Sequence, residues 1–192
     1  MNISLSPKKF YNINYFNEND KLFMQEKNYN FFLNKYFYYF QPIAETFAYC
    51  LLPNGFEILL KTKEEKEFSS FLNFEINENN TKFYEKFISK YISQQFDNLF
   101  IDYQNEYNSI FGEKKLFFEK NLEINSIKTK EDFTNTVKKI HLKPISQSFA
   151  KNIEDWQFSS YNSFFAEGEQ KIKINTIIDY FGNIYKFQDF HN

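Results

Sequence analysis

Arginine is absent from this 192-residue chain: all 23 of its basic side chains are lysine, set against 25 acidic ones for a formal charge of −2. That balance argues against a strongly basic nucleic-acid binder, and a lysine offers phosphate a point charge where arginine offers a planar fork. One cysteine, Cys50, excludes an intramolecular disulfide and a cysteine-based zinc site; its apolar neighbours predict a buried, inert thiol. Four glycines are too few for a glycine-rich phosphate cradle, and together with four prolines they exclude a collagenous or linker-dominated chain. No apolar run approaches the roughly 20 residues that span a bilayer. Met1 to Lys9 lacks the apolar core of a signal peptide, so the expected address is cytoplasmic and no membrane partner is expected. What the chain holds in abundance is aromatic. Its 27 phenylalanines and 14 tyrosines are incompatible with disorder and predict a packed core in a chain the size of one domain.

Periodicity organises that apolar material. Lys9 to Tyr15 alternates as a short strand, and Tyr29, Phe32, Leu33, Tyr36 and Phe40 recur at helical spacing between Glu26 and Phe40. Ile43 to Leu52 and Phe56 to Lys61 read as paired strands around Pro53-Asn54-Gly55, where Asn-Gly predicts a hairpin turn with positive φ. Lys61 to Glu67 carries mixed charge and reads as a solvated segment. Ile88, Ile92, Phe96, Leu99, Tyr103 and Tyr107 mark the buried stripe of a long helix from about Thr81 to Asn108; Tyr103 and Tyr107 are therefore core residues rather than nucleophiles. Leu116 to Ile127 looks extended. A helix then starts at Thr129, buries Phe133, Val137 and Ile140, and is expected to end at Pro144. An irregular aromatic segment, Asp155 to Tyr161, precedes one or two short helices from about Asn175. This order predicts an α+β fold: a ferredoxin-like antiparallel sheet with helices packed on one face in residues 1–150, and a C-terminal helical extension, residues 151–192, packed on it.

Several segments carry a resemblance. Ala48 to Leu60 (AYCLLPNGFEILL) is similar to A-Y-C-L-M-P-N-H-F-H-L-L-V, a signature of single-tyrosine transposases of the HUH superfamily in the branch associated with repetitive extragenic palindromes. Gln95 to Phe118 resembles the long helix and following loop of that family, Val137 to Ile145 (VKKIHLKPI) its Y-I-H-L-N-P-V element, and Ile153 to Phe164 its E-D-W-x-x-S-S-Y element. Lys171 to His191 resembles its K-x-x-E-x-V-L-x-x-F-G and terminal F-x-x-F-H. The resemblance implies a ferredoxin-like nuclease that binds DNA hairpins or single strands for DNA transposition. In the intact family two histidines hold Mg²⁺ or Mn²⁺, and a tyrosine on a separate helix attacks the scissile phosphate. Residues i and i+2 of a strand point to one face, so both imidazoles reach one ion, which acts as a Lewis acid while the tyrosine forms a covalent phosphotyrosine.

This chain departs from the pattern at each catalytic position. Gly55 and Glu57 stand where the histidines would, and Lys139 stands where the tyrosine would; the motif asparagine is Lys143, while His141 matches and reads as structural. Glu57 is the one weak candidate for a metal ligand, and its simpler reading is a polar residue on the outward face of its strand. Lys139 lies off the apolar stripe and is expected to face solvent. The usual Y-N-R-G appears as Ile13-Asn14-Tyr15-Phe16 and a cationic pair as Glu123-Ile124, so contacts to DNA are expected to be weakened. Lys114, Lys115, Lys120, Lys138, Lys139 and Lys143 remain as a modest DNA-binding patch. The leading expectation is a transposase-like pseudoenzyme without a cofactor that binds hairpin or single-stranded DNA. Its alternatives are a non-DNA interaction or structural module on the same fold, homodimerisation included, a residual nuclease using Glu57 and another tyrosine, and a decaying gene copy.

Overall fold

The computed structural model describes residues 4–17, 20–72, 81–112, 114–118 and 122–191. Strands β1 (Phe10–Phe16), β2 (Ala44–Leu52), β3 (Gly55–Thr62) and β4 (Leu122–Ile127) form one sheet in the order β2-β3-β1-β4. Helix α1 (Glu26–Phe40) joins β1 to β2, and helices α2 (Glu65–Leu72) and α3 (Thr81–Phe111) lie between β3 and β4 in sequence. This is the βαββαβ order of a ferredoxin-like α+β fold, with β1 and β3 central. β4 runs antiparallel to β1, with Phe10 opposite Ile127 and Tyr15 opposite Leu122. Helix α4 (Lys130–Ser146) and two short helices, α5 (Ile174–Phe181) and α6 (Ile184–His191), complete the chain.

The chain forms two compact units. The first comprises Met1–Lys9, Met24–Glu45 and Lys61–Asn121. In it α1 buries Tyr29, Phe32, Tyr36 and Phe40 as its spacing predicts; Phe37 joins them, while Leu33 is half-buried. α3 buries the whole predicted stripe from Ile88 to Tyr107. Phe40 meets Phe96 edge-on at 4.5 Å, and Phe32 meets Tyr103 at 5.4 Å. Such ring pairs add about 1 kcal/mol each beyond the burial itself. Asp102 accepts from Lys35 Nζ and from the Tyr39 hydroxyl, each at 2.7 Å, which ties the rim of the two helices together. Burial pushes the Tyr103 hydroxyl far above its ordinary range, as fits a core residue. The stretch from Lys61 to Glu67 departs from its solvated reading. Thr62 is buried, its hydroxyl donating to the Ser6 carbonyl at 2.7 Å, and α2 begins at Glu65. A β-branched residue with a backbone acceptor in reach outweighs the charge of its neighbours.

The second unit comprises Phe10–Phe23, Thr46–Leu60 and Leu122–Asn192, so the expected extension of residues 151–192 falls within it. α4 starts at the Thr129 cap, whose side chain accepts from the Asp132 N–H while Asp132 reaches back to Thr129. Phe133 packs against the rings of Phe10 and Phe47 at 5.2 and 5.4 Å, and Val137 and Ile140 are fully buried beside it. Pro144 does not end this helix, which continues to Ser146. The proline removes one donor only, and the Gln147 N–H closes the last turn on the Lys143 carbonyl at 3.0 Å. Beyond α4 the chain covers the edge of β2: the Leu51 N–H donates to the Phe158 carbonyl at 3.0 Å, Trp156 Nε1 to the Leu51 carbonyl at 2.8 Å, and the Lys173 N–H to the Thr46 carbonyl at 2.9 Å. Cys50 is buried there, and burial pushes its thiol well up, as an inert thiol requires.

The turn between β2 and β3 corrects the reading of Gly55. The loop is Pro53-Asn54, Gly55 already opens β3, and neither Asn54 nor Gly55 has a positive φ. Close approach, not turn geometry, requires the glycine: a Cβ there would lie 2.0 Å from the Tyr15 carbonyl oxygen and 2.8 Å from Phe16 Cα.

Candidate functional site

Glu57 follows Gly55 by two residues on the central strand β3, so both positions look to the same face. Its side chain is not on an outward, solvated face, as its polarity suggested, but 0% exposed. Three donors explain how a carboxylate tolerates that position. Asn12 Nδ2 on β1 donates to Oε1 at 2.8 Å, Lys139 Nζ donates to Oε1 at 3.1 Å, and Lys143 Nζ donates to Oε2. Lys139 and Lys143 are one helical turn apart on α4 and reach the carboxylate from one face. Lys139 is 63% exposed along its side chain, as expected for a residue off the apolar stripe, whereas Lys143 is 13% exposed and its Nζ lies 4.2 Å from the centre of the Phe16 ring. Burial alone pushes the Glu57 carboxyl up; the Lys143 ammonium, then Asn12 and Lys139, override it and hold the group below its ordinary value. Glu57 therefore stays an anion, and the cluster sums to one net positive charge. Asn12 Oδ1 is buried beside it with no hydrogen-bond partner among the described residues.

A second buried polar group lies in the same unit. His141 Nε2 is 2.9 Å from Ser160 Oγ, His141 Nδ1 is 3.0 Å from His191 Nε2, and His191 Nδ1 is 2.7 Å from the Phe187 carbonyl. A carbonyl accepts only, so His191 carries its proton on Nδ1 and accepts at Nε2. His141 then donates from Nδ1 and accepts the Ser160 hydroxyl proton at Nε2, while Ser160 Oγ in turn accepts the Tyr49 N–H at 2.9 Å. Both rings are neutral in this arrangement. Burial, and next the neighbouring His191, hold His141 well below its ordinary value. Burial pushes His191 down to about 4, against the bond to Phe187 and with the help of the Lys138 charge. The relay is sealed from solvent and orients α6; it is a structural device, in line with the structural reading of His141.

The six lysines expected to contact DNA are distributed unevenly. Lys139 and Lys143 meet at Glu57, and Lys138, on the same helix, holds its Nζ 5.1 Å from the Phe190 ring. Lys114 is exposed and Lys115 half-buried in the other unit, Lys115 with its N–H on Asn108 Oδ1 and its Nζ 5.8 Å from the Tyr107 ring. Lys120 lies outside the described residues. Asn12, Ser160 and His191 went unnoticed in the sequence. The latter two sit in the E-D-W-x-x-S-S-Y-like and F-x-x-F-H-like segments, 19 and 50 residues from His141, and no local spacing signals that they meet its ring.

No protein-family model matches the chain, and no curated protein does. Among solved structures, the fold is similar to that of a REP-associated tyrosine transposase bound to a REP hairpin, with a TM-score of 0.53 and 18% identity over 86% of this chain and 83% of that one. Among the described residues no helix is long and apolar enough to cross a membrane, and no three His, Cys, Asp or Glu side chains are grouped to hold a metal ion.

Proposed function

We propose that this chain is a transposase-like DNA-binding protein of HUH single-tyrosine origin that binds hairpin or single-stranded DNA without cutting it. One observation carries the reading. The three positions at which the resemblance expects a metal ligand, a nucleophile and an asparagine are Glu57, Lys139 and Lys143, and both lysines donate to the Glu57 carboxylate. A site whose altered residues satisfy each other is a coherent replacement rather than scattered damage.

The residues present do not fit a divalent cation. Gly55 has no side-chain donor atom, and both oxygens of Glu57 already accept from cationic or amide donors, so two ammonium charges oppose any metal ion at that point. Lys139 is a hydrogen-bond donor to a carboxylate and forms no phosphotyrosine. Binding to DNA then rests on lysine charge and on stacking. The similar transposase structure, solved with a hairpin bound, supports DNA as the partner. An electrophoretic shift with a palindromic hairpin at low salt tests the reading. Retarded hairpin is the expected result; no shift at micromolar protein overturns it and favours an interaction module on the same fold.

A further inference from the structure

We propose that Glu57 is a built-in substitute for a nucleic-acid phosphate, an anion of the chain itself that occupies Lys139 and Lys143 and holds the affinity of this face for DNA down. The inference rests on the DNA-binding reading above and concerns the regulation of the same site. A carboxylate oxygen and a phosphodiester oxygen present the same thing to an ammonium: a full negative charge and lone pairs at hydrogen-bond distance. Glu57 presents both of its oxygens, one to each lysine, from a fully buried position. It does so on a rigid central strand, with Asn12 fixing its orientation at 2.8 Å, so the intramolecular anion is always at hand, whereas a DNA phosphate must be recruited from solution.

Only the far side of the cluster is open. Lys139 is mostly in solvent and keeps two of its three N–H donors beyond the bond to Glu57, while Lys143 is enclosed between Glu57 and the Phe16 ring. A phosphate arriving at this face therefore meets a lysine already paired, and gains much less than a free ammonium would give. Glu57 keeps its charge through the neutral pH range, so the restraint does not lift with ordinary pH changes.

The test compares the native chain with Glu57→Gln, a change that keeps shape and the bond from Asn12 while removing the charge. The probe is a palindromic DNA hairpin with a single-stranded tail, titrated across a series of salt concentrations. Each lysine released to a single-strand phosphate steepens the dependence of log K on log salt by about 0.7 and tightens binding at about 50 mM salt by nearly tenfold, an advantage that vanishes towards 1 M. Tighter, more salt-sensitive binding by E57Q is the expected result. The gain should disappear when Lys139→Ala is added. Equal or weaker binding by a folded E57Q, alongside a native chain that binds, overturns this inference and leaves the DNA-binding reading standing. Absence of binding by both proteins overturns both. Should E57Q fail to fold, Lys139→Ala alone decides, since it removes a mostly exposed side chain and leaves Glu57 its bonds from Asn12 and Lys143. An unchanged salt slope means that Lys139 was already spent on Glu57, and a slope reduced by about 0.7 means that it was free and ends the proposal.

Discussion

Replacing His191 by glutamine removes one titrating ring from the buried relay and keeps its hydrogen bonds. The amide can accept from His141 Nδ1 and donate to the Phe187 carbonyl. In the native chain an unfolded histidine titrates near pH 6.5, while folded His191 is pushed down to about 4. Between those values the unfolded chain binds a proton that the folded chain refuses. The stability contributed by the neutral ring is therefore complete above about pH 6.5, declines as pH falls, and is exhausted once the folded ring titrates. At about pH 5 the loss from His191 amounts to about 2 kcal/mol, and His141, held low for the same reason, adds a loss of the same sign. The carboxylates act in a lower window. Glu57, with a folded value below its ordinary one, contributes stability that is present above about pH 4.5 and is lost only as pH falls further. Urea denaturation at about pH 7.5 and about pH 5 thus reads the histidines with little interference. The native chain should lose stability between the two, and His191→Gln should lose about 2 kcal/mol less. Equal losses in the two proteins would refute the neutral relay and the proton positions assigned to it.

The remaining predictions concern the geometry around β3 and α4. Lys143→Ala leaves the buried Glu57 charge with Asn12 and Lys139 only, and should cost about 3 kcal/mol in chemical denaturation; a loss below about 1 kcal/mol would mean that the carboxylate is not held as described. Gly55→Ala forces a methyl group against the Tyr15 carbonyl and should destabilise the protein by about 3 kcal/mol, with Gly55→His no better tolerated. A stable Gly55→His protein would contradict the close approach of β1 and β3. Thr129→Ala removes the cap of α4 and should cost about 1 kcal/mol, readable as a lowered thermal midpoint.

The fold was largely legible because its determinants are local. The aromatic spacing of α1 and α3, the Thr129 cap and the alternation of β1 each specify an element without reference to distant residues. The misreadings share a cause. Thr62, Pro144 and Gly55 were judged by type, whereas a backbone acceptor at Ser6, a closing bond from Gln147 and the carbonyl of Tyr15 decide what they do. Glu57 is the sharpest case. A carboxylate in a strand reads as solvent-facing, and its burial depends on Asn12, Lys139 and Lys143, which lie 45, 82 and 86 residues away. The sequence did mark Lys139 and Lys143 as altered positions, yet nothing in their spacing said that they and Glu57 compensate one another. The relay between His141 and His191, 50 residues apart, was hidden for the same reason.

The proposed function has the fold bind DNA while an ion cluster stands in place of catalytic chemistry at its site. A labelled palindromic hairpin with a single-stranded tail, incubated with the protein and Mg²⁺ or Mn²⁺ and run in parallel on native and denaturing gels, tests it most directly. A salt-sensitive shift on the native gel, with full-length, protein-free DNA on the denaturing gel, is the predicted result. A metal-dependent covalent band or shortened strand, or no shift at micromolar protein, would contradict it.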